Sequence, residues 1–321
     1  MKKLFLILLL IPLLSFGYRN GNRWHTWVQN LKKEAVSQGI KPQLFDNLFY
    51  NLTPNRRILR FDRRQPEKRL TFLRYRNTRG SRNRIGVGKR ELRKYKGLLS
   101  VVSNHYGVSY CYITAIWGLE SSYGNFVGNF DTIRSLATLA FDGRRSAFFR
   151  KQLLLALKML NQGVISRHQF KGEWAGASGQ AQFLPSSWFK YAQDFDRDGQ
   201  KDIWHTHADI FASIANYLRS NGWKTGEPTL VTVTLPRHLD RSLLSLKVTK
   251  PVSEWLKMGI KLKRGQPQVN KNMSASVIVP DGGPALMVFN NFKTLMTWNF
   301  SSYYAGTVTY VAQKICKLPS F

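Results

Sequence analysis

The sequence predicts a mainly α-helical protein of the α+β class, and two observations predict it. From about residue 24 to residue 225, apolar residues recur at the three- and four-residue spacing of amphipathic helices. After "NGWKTGEP" the pattern changes to short β-branched runs, "TLVTVTL" and "SASVIVP", with glycine and proline between them. We therefore expect helices first, then a small β-containing element, and a final helix over "SSYYAGTVTYVAQKI".

Several helices can be placed from their end signals. "WHTWVQNLKKEAVSQGI" is amphipathic, and "KRELRKYKGLLSVVSNHYG" ends on Gly107, as a helix with a glycine C-cap does. Ser109 is placed to N-cap a helix that runs to Glu120. Further helices are expected over residues 145–160, over residues 208–219 and from a start near Ser186.

The N-terminus has the pattern of a secretory signal. Lys2 and Lys3 precede the apolar residues 4–14, and Ser15-Phe16-Gly17 follows as a small-x-small cleavage site. We expect residues 1–17 to be a signal peptide that is cleaved near Gly17, with export to the periplasm. No cysteine follows the apolar run, so a lipid anchor is not expected there, and no other segment has the roughly 20 apolar residues of a membrane span.

The chain is strongly basic, with 49 Lys and Arg against 18 Asp and Glu and a net charge of +31. Between residues 56 and 96 there are 17 basic residues, opposed only by Asp62, Glu67 and Glu91. Such a region attracts polyanions. In an exported protein we expect anionic envelope polymers as the partners and no nucleic acid; the alternative is a solvated basic surface that keeps the protein soluble.

Cys111 and Cys316 form neither a disulfide framework nor a zinc-binding pattern. Because Cys111 lies in the apolar stretch "YCYITAIW", we expect buried free thiols rather than a disulfide, although export permits one.

Glu120 is the first candidate for chemistry. It ends an apolar run, and helical spacing places Ile113, Ile116 and Trp117 on its face. Desolvation there would raise its pKa from about 4.3, as a general acid near neutral pH requires. The alternative is a structural carboxylate at a helix end.

A second candidate is the stretch "KGEWAGASGQAQFLPSSW", which carries Glu173, Gln180 and Gln182 among small residues. Small residues let a bulky ligand approach the backbone, while amides and indole rings supply hydrogen bonds and flat apolar faces. Sugars use both. The alternative is a tight structural turn before the next helix.

A third candidate, "DFDRDGQKDIWH", resembles the calcium-binding loop of an EF-hand. Asp194, Asp196, Asp198, Gln200 and Asp202 stand at its first, third, fifth, seventh and ninth positions. His205 stands at the twelfth, where a bidentate carboxylate belongs. We expect weak structural calcium binding; the alternative is a solvated acidic turn held by neighbouring bases.

Taken together, these stretches resemble one family, the B-type lytic murein transglycosylases. The resemblance rests on "RQPEKRLTFLRYRN", "YGVSYCYITAIWGLESSYGNF", "WAGASGQAQFLPSSWFKYAQDFDRDGQKDIW", "ADIFASIANYLRSNGW" and "WNFSSYYAGTV". It implies a lysozyme-like helical core whose only catalytic carboxylate is Glu120. It also implies sugar contacts by Gln182 and Asn299, with Tyr303 and Tyr304 following, and we assign Tyr123, Glu173 and Gln180 to the same glycan-binding surface.

The resemblance further implies a domain organisation and a reaction. We expect a basic helical region over residues 18–90, a catalytic core over 91–225, and a β-containing element with the C-terminal helix over 226–321. The substrate would be the glycan strands of peptidoglycan, cleaved between N-acetylmuramic acid and N-acetylglucosamine with a 1,6-anhydro product. We expect a monomer that requires no cofactor.

Glu173 departs from the family pattern, because a serine usually precedes the W-A-G stretch. A second carboxylate in the cleft permits hydrolysis of lysozyme type, with Glu173 as base for a water. We instead expect Glu173 either to raise the pKa of Glu120 or to pair with an arginine. The alternative from another class is a non-catalytic polycationic wall-binding protein.

Overall fold

The computed structural model describes residues 15–63, 70–267 and 269–318. Its helices are α1 Ser15–Ser37, α2 Pro42–Phe49, α3 Arg56–Arg63, α4 Phe72–Arg79, α5 Arg82–Lys94, α6 Lys96–Tyr106, α7 Tyr110–Ser121, α8 Thr132–Asp142, α9 Ser146–Asn161, α10 Pro185–Tyr191, α11 His207–Ser220, α12 Val252–Lys257, α13 Asn290–Trp298 and α14 Ser302–Cys316. The predicted mainly helical fold is confirmed.

The predicted end signals are present in the structure. Gly107 ends α6 in the left-handed conformation (φ 67°), and the Ser109 hydroxyl accepts a hydrogen bond from the Cys111 N–H at 3.3 Å at the start of α7. One difference is a break at Tyr95, which divides the single helix expected over residues 89–107 into α5 and α6. The Tyr95 ring stacks on His207 and packs edge-on against Trp117, and these contacts hold the chain where it changes direction.

The strands form two sheets. β1 (Phe130–Asp131) pairs with β2 (Lys171–Gly172) in a small antiparallel ribbon inside the helical part, which the sequence pattern did not predict. The other strands are β3 Leu230–Thr234, β4 Lys250–Pro251, β5 Lys261–Leu262, β6 Ser274–Ile278 and β7 Leu286–Val288. They form the expected β-containing element, an antiparallel sheet of order β4-β6-β7-β3-β5, with its own apolar cluster around Trp255 and Phe289.

Helices α7 and α14 form the pair on which the candidate site is built. They pack against each other, with the end of α7 near the start of α14. At the opposite ends, Cys111 and Cys316 form a disulfide with a Cα–Cα distance of 6.0 Å. The expectation of free thiols was therefore wrong. The antiparallel packing of two helices 205 residues apart in sequence brings the cysteines together, and local sequence carries no signal of that contact.

The basic region is part of the same helical body. Helices α4 and α5 pack against α14, α5 also packs against α7, and the predicted boundary between residues 90 and 91 falls inside α5. Residues 1–14 of the expected signal peptide lie outside the described residues, and α1 begins at Ser15. Among the helices that the structure describes, none is long and apolar enough to cross a membrane.

Candidate active site

Glu120 lies at the C-terminal end of α7, where side chains from the distant helices α13 and α14 contact it. The Tyr304 hydroxyl, on the first turn of α14, donates a hydrogen bond to Glu120 Oε1. The Trp298 side chain, at the end of α13, also hydrogen-bonds the carboxylate. Helix α7 is buried almost all round, and the groups that hold the carboxylate come from α13 and α14 rather than from its own helix.

The surroundings of Glu120 favour its neutral form. Burial raises the pKa of Glu120 above its ordinary value, while the hydrogen bond from Tyr304, the positive charge of Arg79 and the hydrogen bond from Trp298 lower it. The negative charge of Glu173 raises this pKa further. The upward direction predicted for Glu120 is confirmed, and its side chain keeps partial access to solvent. A sheltered acid with a raised pKa is suited to proton donation.

Tyr304 keeps its proton in the hydrogen bond with Glu120. Its side chain is buried, and burial, together with the neighbouring Glu120 charge, raises its pKa well above the ordinary value. The phenol therefore keeps its proton and acts as a hydrogen-bond donor. Since Oε1 of Glu120 accepts this bond, the Tyr304 hydroxyl fixes the orientation of the carboxyl group.

The chain turns sharply after Glu120, with three consecutive residues at positive φ: Ser122, Tyr123 and Gly124. A Cβ at Gly124 would lie 2.4 Å from the Gln180 side-chain oxygen, so glycine permits this close approach. Tyr123 points inward, donates its hydroxyl to the Arg84 carbonyl at 2.9 Å and packs edge-on against Trp117. The buried Tyr123 thus supports the wall behind Glu120 and also lines a small cavity with Ser122 and Arg84, and its contact with a glycan stays a prediction.

Gln180 and Gln182 have different surroundings. The side-chain oxygen of Gln180 accepts from Trp117 Nε1 at 2.7 Å, and its nitrogen donates to the Trp204 carbonyl at 2.8 Å. Gln182, at φ 48°, donates its amide nitrogen to the Val127 carbonyl at 2.9 Å, while its Oε1 is buried without a partner among the described residues. An unsatisfied buried acceptor is a candidate contact for a ligand N–H.

Glu173 begins a tight turn beside the β1–β2 ribbon. Its N–H donates to the Ala177 carbonyl at 2.8 Å, and its carbonyl accepts from the Gly176 N–H at 2.9 Å. The half-buried carboxylate has no ion-pair or hydrogen-bond partner in residues 15–63, 70–267 and 269–318. Of the two roles expected for Glu173, the structure supports the charge coupling to Glu120 and not the arginine pair.

The last two predicted glycan contacts flank the turn between α13 and α14. Asn299 is half-buried, and its carbonyl accepts from the Ser301 N–H at 2.6 Å. The Tyr303 ring packs against Phe72 and Tyr75, with centroids 5.4 and 6.0 Å apart. Tyr303 therefore connects the basic helix α4 to the helix that carries Tyr304.

The acidic loop assembles a different set of carboxylates from the predicted one. Asp194 and Asp196 come together with Asp209, and their nearest oxygens lie within 4.8 Å of one another. Asp198, Gln200 and Asp202 are outside this group in the described part of the chain; Asp202 instead accepts from the Trp204 and His205 N–H groups. Burial raises the pKa of Asp209 to about 6, and the charges of Asp196 and Asp194 add to this increase.

Three residues of these sites were missed in the sequence. Trp298 immediately precedes the predicted Asn299, Arg79 lies within the basic region, and Asp209 is in the first turn of α11. The spacing of Asp209 from Asp194 exceeds the regular EF-hand loop, so the motif did not include it. Nothing in the local sequence around Trp298 or Arg79 marks them as neighbours of Glu120, because their proximity to it depends on how the helices pack.

The fold and the site together define an enzyme that cleaves glycosidic bonds, in which one sheltered carboxylic acid is held among hydrogen-bond donors. Residues 23–313 match the family model described as "Transglycosylase SLT domain". The chain therefore belongs to this family of lytic transglycosylases.

Individual relatives agree with this assignment. The membrane-bound lytic murein transglycosylase B of Escherichia coli K12 is 29% identical over 253 residues, which cover 76% of this chain and 67% of the relative. SltB3 of Pseudomonas aeruginosa, solved with NAG-anhNAM-pentapeptide, superposes with a TM-score of 0.87 at 38% identity over 92% of this chain and 80% of its own. The E. coli lytic transglycosylase SLT35, solved with calcium, has a TM-score of 0.80 at 27% identity over 90% and 92%.

Proposed function

We propose that the protein cleaves the β-1,4 bond between N-acetylmuramic acid and N-acetylglucosamine in peptidoglycan and forms 1,6-anhydromuramoyl ends. The observation that carries this proposal is the position of Glu120, a carboxyl group with a raised pKa that Tyr304 and Trp298 hold in place. The SltB3 structures, solved with peptidoglycan fragments, support the substrate class.

The proposed reaction uses Glu120 twice. Its proton, carried on Oε2 because Oε1 accepts from Tyr304, passes to the glycosidic oxygen as the bond to the muramic C1 breaks. The Glu120 carboxylate then removes the proton of the muramic 6-hydroxyl, whose oxygen bonds to C1. The 1,6-anhydro ring closes, Glu120 is protonated again, and no water is consumed.

Gln182 is the proposed contact for the substrate's acetamido group. Its buried Oε1 lacks a partner among the described residues, so it is available to accept from the acetamido N–H. That bond would turn the acetamido carbonyl toward C1, where it stabilises the positive charge that develops as the bond breaks. One protein carboxylate then suffices, as in other substrate-assisted glycosidases.

A hydrolase in which Glu173 activates water is the second candidate, because the Glu173 carboxylate is half-buried and unpaired among the described residues.

We expect Glu173→Ser to keep the anhydro product. Removal of the Glu173 charge lowers the pKa of Glu120, so less of the acid is protonated at a given pH and the alkaline limb of kcat/KM moves to lower pH. The measurement is the pH profile together with product masses from purified peptidoglycan.

Glu227→Ser is the matched control for this experiment, since it removes the same charge beside a cavity at the other end of α7. We expect its pH profile to match that of the wild type. Reducing-end products from the wild type that disappear in Glu173→Ser would establish the hydrolase instead.

We also propose that the acidic loop holds a structural calcium ion. Carboxylate oxygens are the ligands that calcium prefers, and Asp194, Asp196 and Asp209 bring three such groups together. We expect millimolar calcium to raise the melting temperature by a few degrees over a chelator, because the ion binds only the folded loop. Asp194→Ala should abolish this shift, and Asp240→Ala, at a turn in the β-containing element, should preserve it. Melting curves that do not respond to calcium would refute the site.

The protein is further proposed to act in the periplasm after cleavage near Gly17. Its substrate is there, and the basic helices α3, α4 and α5 would strengthen its attraction to anionic envelope polymers.

A further inference from the structure

Phe300 has the greatest exposure of the large apolar side chains in the described chain, at 95%. Single exposed apolar residues are common on protein surfaces, so exposure alone assigns no role. Its neighbours in sequence are more informative. Trp298, two residues before it, and Tyr304, four residues after it, both hydrogen-bond Glu120. Phe300 is therefore at the apex of the segment that delivers the partners of the catalytic acid.

The backbone around Phe300 is fixed on both sides. The Ser301 N–H donates to the Asn299 carbonyl at 2.6 Å, which closes a tight turn with Phe300 at its centre. The Ser301 hydroxyl accepts from the Tyr304 N–H at 3.3 Å and caps α14. A ring on such a turn is presented to solvent at low conformational cost.

The other exposed phenylalanines show how Phe300 differs. Phe61 packs edge-on against Phe130 at 6.0 Å, and Phe148 packs edge-on against Phe149 at 5.1 Å. Phe300 makes no aromatic contact within the described ranges, and neither does Phe126, which is 57% exposed on the loop that leaves Glu120. The two exposed phenylalanines without ring partners in the described ranges thus lie on the two segments next to the catalytic acid, and Phe300 is the more accessible of them to a ligand.

We propose that Phe300 is a specificity-determining platform that stacks on a pyranose ring of the glycan strand, beyond the two sugars joined by the cleaved bond. A pyranose presents a face of C–H groups that packs well on a flat aromatic ring. This inference rests on the proposed glycan substrate. It makes Phe300 responsible for preference between long strands and short fragments, while Glu120 and its partners carry the chemistry.

The test compares glycan fragments of increasing length as substrates for the wild type, Phe300→Ala, Phe300→Leu and Phe300→Trp. We expect Phe300→Ala to lower kcat/KM on long strands about tenfold through a higher KM, with kcat within about twofold of wild type. On the shortest fragment that is cleaved, kcat/KM should also stay within about twofold of wild type. Phe300→Trp should restore the wild-type value, and Phe300→Leu should not, because leucine is apolar but has no flat face. Tyr50→Ala, at an aromatic side chain 79% exposed at the end of α2, is the matched control.

Binding measured in a Glu120→Gln background separates this inference from the proposed reaction. Titration of that protein with long glycan strands should show the same tenfold weakening on adding Phe300→Ala, whether or not the wild type forms anhydro products. Equal losses at every fragment length, or no loss at any length, would overturn the inference. Weaker binding to anionic lipid vesicles with unchanged glycan binding would overturn it as well.

Discussion

Glu120→Gln is expected to reduce turnover of peptidoglycan by about 100-fold to 10,000-fold, the usual contribution of general acid–base catalysis. The amide keeps the shape of the side chain and accepts the Tyr304 hydrogen bond, but it cannot donate the required proton. The measurement is the rate of release of soluble fragments from purified peptidoglycan. The fraction of protein that sediments with isolated cell walls and the melting temperature should both stay at wild-type values, because the substitution is isosteric.

The matched control is Glu227→Gln, which makes the same change beside a cavity at the other end of α7. Its turnover should remain within about twofold of wild type. If Glu120→Gln retained more than a few per cent of wild-type turnover, Glu120 would not be the catalytic acid.

The second large effect is expected from the disulfide. It closes a loop of 205 residues and joins the ends of α7 and α14 that lie opposite Glu120 and Tyr304. Loss of a native disulfide typically costs about 2–5 kcal/mol of unfolding free energy, and long loops fall toward the upper end. Denaturant unfolding of the Cys111→Ala/Cys316→Ala variant should show this decrease.

Dithiothreitol supplies the control for that experiment. Reduction of the wild type should lower its stability toward that of the variant, whereas the variant itself should not respond. Equal unfolding free energies for the oxidised wild type and the double variant would show that the disulfide does not stabilise the fold.

Local patterns in the sequence predicted the elements that local physics determines. The serine cap and apolar run of α7, the glycine end of α6 and the β-branched strands each have causes within a few residues. Glu120 was also identified from the sequence, because a carboxylate among apolar side chains is costly to desolvate and so indicates a function. The increase of its pKa by burial and by Glu173 was predicted, whereas the opposing effects of Tyr304, Arg79 and Trp298 were not.

What the sequence could not supply are contacts between distant segments. The Cys111–Cys316 disulfide, the Tyr304 bond to Glu120 and the third carboxylate of the acidic loop all depend on how helices pack. Gln180 also shows that the sequence does not give the partners of a side chain. Its contact with a sugar stays a prediction, but each of its polar atoms already has a partner in the fold, the Trp117 indole N–H for the oxygen and the Trp204 carbonyl for the nitrogen. Polarity in a motif did not reveal which way the side chain faces.

Glu120 is proposed to close an anhydro ring without consuming water, and digestion of purified peptidoglycan in oxygen-isotope-labelled water distinguishes this reaction from hydrolysis. Mass spectrometry of the released muropeptides should show unlabelled anhydromuramoyl ends, because the muramic 6-hydroxyl supplies the oxygen that bonds to C1. Isotope label at C1 of reducing muramoyl ends, formed at the rate of bond cleavage, would show that the protein is a hydrolase and that no anhydro ring closes.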